Sequence, residues 1–386
     1  MSVPLRLNPV LTGMRPYPFL ALDEARKRAI AAGLSLIDFS VGEPHEATDA
    51  GIREALAESL EERSSYPKAE GLPELKEAIA AWCRRRFGVS LDPQGEVVPT
   101  LGSKEALFSL PFVAMEPGSR RDIMVVTEPG YPIPERAAML AGARVLRLPL
   151  REANRFLPDL AEIPESTWDR VAILLVNYPN NPTAAMAPLS FYAELAAKAE
   201  RHGFLVASDE AYSEVYFGEP PASALQVADR SRIAVFNTQS KRSSMPGYRT
   251  GFLAGPPELI RGYKLWRPLA GVAVPEFIQR ATVRALAEED HVERMRAVYA
   301  AKRDLFLEFF QGHGIRVAGS EATFYLWCQV PEGESSEAFA ARLLERGVVV
   351  APGSFFGDAG EGYFRVALVP TLEECRRAVE VLEEVL

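Results

Sequence analysis

Lys241 lies in the stretch Ser240-Lys241-Arg242-Ser243-Ser244-Met245-Pro246-Gly247-Tyr248-Arg249-Thr250-Gly251. A lysine amine can form a Schiff base with an aldehyde, and small neighbours with glycines let a bulky phosphorylated ring lie against the backbone. Arg249 offers a charged fork for such a phosphate. The same stretch reads equally as a basic surface loop, because a charge run is commonly a solvated face. Asp209-Glu210-Ala211-Tyr212 sets a carboxylate close to a phenol. A buried aspartate keeps a pyridine nitrogen protonated, which a ring used as an electron sink requires. The Tyr212 hydroxyl can bond an oxygen of that ring. A turn with a half-buried tyrosine is the alternative.

Asn177-Tyr178-Pro179-Asn180-Asn181-Pro182-Thr183 is dense in turn residues. Asn181 precedes a proline, so its backbone is restricted and its amide can be aimed at a ring oxygen; a tight loop is the plainer reading. Leu101-Gly102-Ser103-Lys104-Glu105-Ala106 reads as a glycine turn into a helix. Backbone N–H groups and a hydroxyl there can hold phosphate, and an ordinary helix cap would look the same.

These groups need a scaffold. Apolar runs at Ile123–Val126, Val171–Val176, Phe204–Ala207, Ile233–Phe236 and Phe252–Ala254 alternate with helical patterns. Runs that are apolar on both faces predict strands of a parallel sheet covered by helices. Leu189 to His202 reads as a helix stopped by Gly203, and Pro73 opens another that reaches Phe87 before Gly88. The candidate residues then fall at carboxyl ends of strands, where open parallel sheets bind ligands. The predicted organisation is a large α/β domain over 46–274 and a smaller α+β unit from 1–45 and 275–386, with helices near 288–312 and 336–346.

A chain of 386 residues exceeds one compact core, in keeping with that division. Its net charge of −9, without a basic tract, argues against nucleic acid or an anionic membrane and for a small-molecule ligand. Cys83, Cys328 and Cys375 are far apart and lack CxxC spacing, so neither a disulfide framework nor a metal site is expected. The N-terminus lacks a continuous apolar stretch, and a soluble, unprocessed, cytoplasmic protein is expected.

Taken in order, Gly-Ser-Lys-Glu-Ala at 102–106, Pro-Gly-Tyr-Pro at 129–132, Asn-Asn-Pro-Thr at 180–183, Asp-Glu-Ala-Tyr at 209–212, Ser-Lys with Gly-Tyr-Arg-x-Gly at 240–251 and Phe-Arg-Val-Ala at 364–367 resemble fold-type I pyridoxal-phosphate aminotransferases of class I/II. The resemblance runs from Arg15-Pro16-Tyr17-Pro18-Phe19 to the C-terminal helix. The arm, Phe39-Ser40-Val41-Gly42-Glu43-Pro44-His45, Ser65-Tyr66-Pro67 and 208–217 look most like N-succinyldiaminopimelate aminotransferases of lysine biosynthesis.

The resemblance implies pyridoxal 5'-phosphate as cofactor and a role for each matching residue. Lys241 would carry the cofactor and later shuttle a proton, Asp209 would pair with the ring nitrogen, and Asn181 and Tyr212 would bond its ring oxygen. Tyr131 would stack on the ring. Gly102, Ser103, Lys104, Thr238, Ser240 and Arg249 would surround the phosphate, and Tyr66 would reach it from the other subunit of a homodimer with shared active sites. Arg365 would clamp the substrate α-carboxylate beside Gly42 and Asn181. The implied reaction moves an amino group between glutamate or 2-oxoglutarate and an acidic amino or keto acid, first N-succinyl-LL-diaminopimelate. Aspartate, aromatic or LL-diaminopimelate specificity, or carbon–sulfur β-lyase chemistry, are the alternatives. Lys104, Arg15 and Lys68 are candidates to read a distal carboxylate. Ala184 stands where the family has glycine, which is expected to shift that turn slightly, and Val274 stands where serine is common, removing a hydroxyl near the shared part of the site.

Overall fold

The computed structural model describes residues 5–14, 18–63 and 65–386. In chain order the strands are β1 Ile37–Asp38, β2 Val97–Thr100, β3 Ile123–Glu128, β4 Arg144–Pro149, β5 Val171–Asn177, β6 Leu205–Asp209, β7 Ile233–Thr238 and β8 Gly251–Ala254. Then come β9 Val317–Gly319, β10 Tyr325–Gln329, β11 Val348–Val349, β12 Ala351–Pro352 and β13 Tyr363–Ala367.

Seven strands form one sheet in the order β2-β8-β7-β6-β5-β3-β4. Pairing from β7 through β4 is parallel. The predicted parallel strand at Phe252–Ala254 departs from this, because β8 runs antiparallel to both β7 and β2. Thr238 faces Gly251 in register, so the chain leaves and re-enters the sheet at the same end, and the two strands must run in opposite directions. The chain thus has the α/β fold of mostly parallel strands covered by helices. A four-stranded sheet, β12-β13-β10-β9, is built from the C-terminal part, and β1 pairs with β11, which ties an N-terminal segment to that part.

The glycine stops are where local sequence placed them. The helix Pro73–Phe87 ends at Gly88 with φ 71°, and Leu189–His202 ends at Gly203 with φ 77°, left-handed conformations that glycine adopts without Cβ strain. One face of the large sheet packs on Trp82, Trp168 and Phe204, and the other on Leu107, Leu110 and Tyr263. A third core, with Phe39, Phe306 and Phe364, holds the smaller sheet. Truncating one such aromatic to alanine typically costs about 3–5 kcal/mol, so the strand ends rest on a stiff platform. No described helix is long and apolar enough to cross a membrane.

Candidate active site

Parallel register brings chemistry to one edge. Asn177, the last residue of β5, pairs with Asp209, the last of β6, which pairs in turn with Phe236 just before Thr238. A cavity of about 510 Å³ opens at this edge, and its lining includes Gly42, Gly102, Ser103, Lys104, Tyr131, Asn181, Asp209, Tyr212, Thr238, Ser240, Lys241, Arg249 and Arg365. All but one of the residues given a cofactor or α-carboxylate role from sequence therefore converge. The exception is Tyr66, which is fully exposed, at 101% relative exposure, and does not line the cavity of its own chain.

Lys241 sits on the one-turn helix Gln239–Arg242, whose N-cap Thr238 accepts a hydrogen bond from Ser240 N at 3.2 Å. Its Nζ donates to the carbonyl of Gly42 and lies 5.4 Å from the centre of the Phe324 ring. Burial first, then the Arg365 charge, lowers its pKa to about 8. Burial thus brings the unprotonated amine, the form a nucleophile and proton carrier requires, closer to neutral pH than in an exposed lysine. The Asp209 carboxyl is buried and pushed up to about 7 by desolvation, although Ala211 N donates to it at 3.2 Å and Lys241 pulls it down. A buried carboxylate without a strong cationic partner is costly.

Asn177 braces this edge. Its Nδ2 donates to Asp209 O at 2.9 Å and its Oδ1 accepts from Asn181 N at 2.8 Å. Asn181 Oδ1 in turn accepts from Arg365 Nη1 at 2.7 Å, while Nη2 donates to Ser40 O. The guanidinium carbon lies over two rings, 4.1 Å from the centre of Tyr325 and 4.6 Å from that of Phe356. It is 3% exposed, and its Nε has no partner among the described residues. A fork held so firmly, with donors to spare, suits a planar carboxylate.

At the other end of the cavity the helix Gly102–Ala114 begins. A Cβ on Gly102 would lie 3.1 Å from Arg249 Nη2 and 3.5 Å from Thr238 Oγ1, with the backbone at φ 73°. Arg249 is fixed by bonds from Nη1 to Pro246 O at 2.9 Å and Nη2 to Leu101 O at 3.1 Å. Bare backbone at a helix N-terminus, hydroxyls of Ser103, Thr238 and Ser240 and a guanidinium form a cradle for phosphate. Pyridoxal phosphate fits what is present, with a carboxylate lacking a strong cationic partner for a ring cation, an amine for an aldehyde and this cradle for the phosphate.

At the Asn-Pro-Thr turn Ala184 takes a left-handed conformation at φ 59°, the kind glycine adopts without strain, with its N–H bonded to Asn180 O at 2.9 Å, at a cost of about 1–2 kcal/mol relative to glycine's freedom. Val274 is buried and outside the cavity lining. Among the distal-carboxylate candidates, Lys104 is exposed on the cavity lining, Lys68 lies away from it, and Arg15, like Tyr17, lies outside the described residues. Sequence reasoning missed Tyr325, Phe356, Phe19, Asp23 and Glu43 as lining residues. Phe19 and Glu43 lie in the segments Arg15–Phe19 and Phe39–His45 that carry the family resemblance, whereas Tyr325, Phe356 and Asp23 lie in stretches without a motif to single them out.

The family described as aminotransferase class I and II matches residues 35–382. An LL-diaminopimelate aminotransferase of Nitratidesulfovibrio vulgaris is 39% identical over 365 residues, 93% of each chain. One of Aquifex aeolicus is 40% identical over 373 residues, 95% of each. Among solved structures, substrate-bound BacF from Bacillus subtilis superposes with a TM-score of 0.93 at 31% identity, covering 100% of this chain and 98% of that one. A probable N-succinyldiaminopimelate aminotransferase from Thermus thermophilus has a TM-score of 0.89 at 34% identity, covering 95% and 100%.

Proposed function

The chain belongs to the class I and II aminotransferases, enzymes that use pyridoxal phosphate, and from that premise we propose that it transaminates a diaminopimelate skeleton against glutamate or 2-oxoglutarate. The observation that carries the reading is the meeting of Lys241, Asp209 and Arg365 in one cavity. The curated relatives at 39–40% identity, named for LL-diaminopimelate, favour the free amino acid as first substrate over the N-succinyl form expected from the sequence motifs. The Thermus structure supports the succinylated form as the second reading.

When bound, the cofactor supplies an electrophilic aldehyde and an electron-withdrawing ring. Asp209 would hold the positive charge at the ring nitrogen, while Thr238, Ser240, Ser103, the Gly102 backbone, Lys104 and Arg249 would hold the phosphate. Tyr131 would pack on the ring, and Asn181 and Tyr212 would hold its oxygen. Arg365 fixes the substrate α-carboxylate, which aligns the Cα–H bond for the reaction. Lys241 Nζ, in its unprotonated form, would take the Cα proton of the bound substrate and hold it for return. Phe19, Tyr325 and Phe356 line the cavity and exclude water.

The same reading makes 46–274 the cofactor domain and 1–45 with 275–386 the smaller unit; the placement of β2 to β8 in the first and the pairing of β1 with β11 in the second support it. A cytoplasmic homodimer in which Tyr66 reaches the partner's phosphate completes the proposal, supported by the full exposure of that side chain. The test is a half-reaction screen. Conversion of the loaded enzyme to its amino form is followed by absorbance with LL-diaminopimelate, its N-succinyl derivative, glutamate, aspartate and alanine. Faster conversion by alanine than by every dicarboxylic donor would overturn the substrate reading and leave the family intact.

A further inference from the structure

We propose that Tyr325 is a positioning residue that links the guanidinium of Arg365 to the hydroxyl of Tyr212, making Tyr212 a donor into the cavity and coupling it to carboxylate binding. Tyr325 begins β10, whose Trp327 lies opposite Arg365 on β13. Its ring centre is 4.1 Å from the Arg365 guanidinium carbon. Its hydroxyl is 2.8 Å from that of Tyr212, and the two rings meet edge to face with centres 5.4 Å apart. Both side chains are buried, at 2% and 6% exposure. A third contact fixes the hydroxyl: a Cβ on Gly42 would fall 1.8 Å from Tyr325 Oη, so only glycine at 42 admits the phenol there. The carbonyl of that same Gly42 accepts from Lys241 Nζ.

Proton counting gives the pair a direction. Each phenol has one proton to donate. For Tyr212 to donate to a ring oxygen in the cavity, it must accept from Tyr325, and a donor that itself accepts a hydrogen bond is strengthened. The charged and titratable groups around the pair are Arg365 from β13, Asp209 from the end of β6, Lys241 from the Gln239–Arg242 helix and Tyr299 from the helix Asp290–Gly312. Burial raises the proton affinity of both phenols, and the Arg365 charge lowers it in both. A carboxylate that neutralises Arg365 relieves that lowering, so protons at this end of the site are held more tightly once substrate binds. Ring and hydroxyl thus have separable effects, the ring on Arg365 and the hydroxyl on Tyr212.

The inference rests on the transaminase reading, and its test keeps the two apart. The enzyme loaded with pyridoxal phosphate is titrated by absorbance across pH, with kcat, KM and thermal melting measured alongside, for Tyr325→Phe, Tyr325→Leu, Tyr212→Phe and the double variant Tyr325→Phe/Tyr212→Phe. Tyr325→Phe is expected to raise the cofactor's titration midpoint by about half to one pH unit, because the ring oxygen's anionic form loses stabilisation. It should move KM by less than about twofold, since the ring under Arg365 is kept. Tyr325→Leu, which removes the ring, should raise KM about three- to thirtyfold. In the Tyr212→Phe background the Tyr325→Phe change should add no further midpoint shift. An unchanged midpoint in a Tyr325→Phe enzyme of normal melting temperature would overturn the inference, and so would a shift that persists undiminished without Tyr212. A wrong substrate reading would alter KM values and leave the absorbance titration readable.

Discussion

Arg365 Nη1 donates to Asn181 Oδ1 over 2.7 Å, joining residues 184 positions apart in the chain. The bond fixes the rotation of a guanidinium that is otherwise held by the Ser40 carbonyl and two aromatic faces. Asn181 is itself braced by Asn177, so the Arg365 fork is anchored in the β5 strand end.

Removing that anchor has a measurable consequence. Asn181→Ala should raise KM for amino donors roughly tenfold or more, the equivalent of about 1.5–3 kcal/mol for a bond to a charged group. Steady-state kinetics check it, and an unchanged KM would show that Ser40 and the rings suffice.

Asp209 sets a pH dependence whose sign is definite. Its folded pKa of about 7 lies above the usual carboxylate value. Between the unfolded pKa near 4 and about 7 the folded state binds the extra proton, so cofactor-free protein loses stability as pH rises through that window. Asp209→Asn should therefore stabilise the cofactor-free protein at pH 8, by no more than about 4 kcal/mol. The same change should lower kcat/KM roughly a hundred- to thousandfold, as when one member of a buried charge pair is lost. Thermal melts at pH 5 and pH 8 with parallel kinetics test both signs.

Lys104 gives a specificity test. If it pairs a distal carboxylate, Lys104→Ala should raise KM for dicarboxylic donors about ten- to a hundredfold and barely change it for alanine. An equal loss for both would assign Lys104 to the phosphate end instead.

Tyr66 and Lys241 test subunit sharing. Lys241→Ala should abolish transamination in a folded protein. Mixing it with a Tyr66→Phe protein places both lesions at one site of the mixed dimer and restores the other. Activity in the mixture no greater than in the separate variants, after verified exchange, would rule out a shared site.

Local sequence determined five strands of the large sheet, β3 and β5 to β8, though not its edge strands β2 and β4, and two helices with their ends: apolar runs that are buried on both faces, a proline that opens a helix, and Gly88 and Gly203 that end them. It also determined the groups borne at strand ends, because Asp209, Thr238 and Lys241 close their strands or follow them within a few residues. What it could not convey is pairing at long range. The reversal of β8 depends on which end of the sheet the chain re-enters. Tyr325 looks like one more aromatic in Phe324-Tyr325-Leu326-Trp327 until folding brings its hydroxyl to Tyr212, 113 positions away. Ser40 is drawn to Arg365 across 325 positions, through a carbonyl that any residue would supply. Side-chain periodicity reports burial within one element, whereas these contacts arise from how the two sheets and the β1 segment pack, and only the tertiary structure decides them.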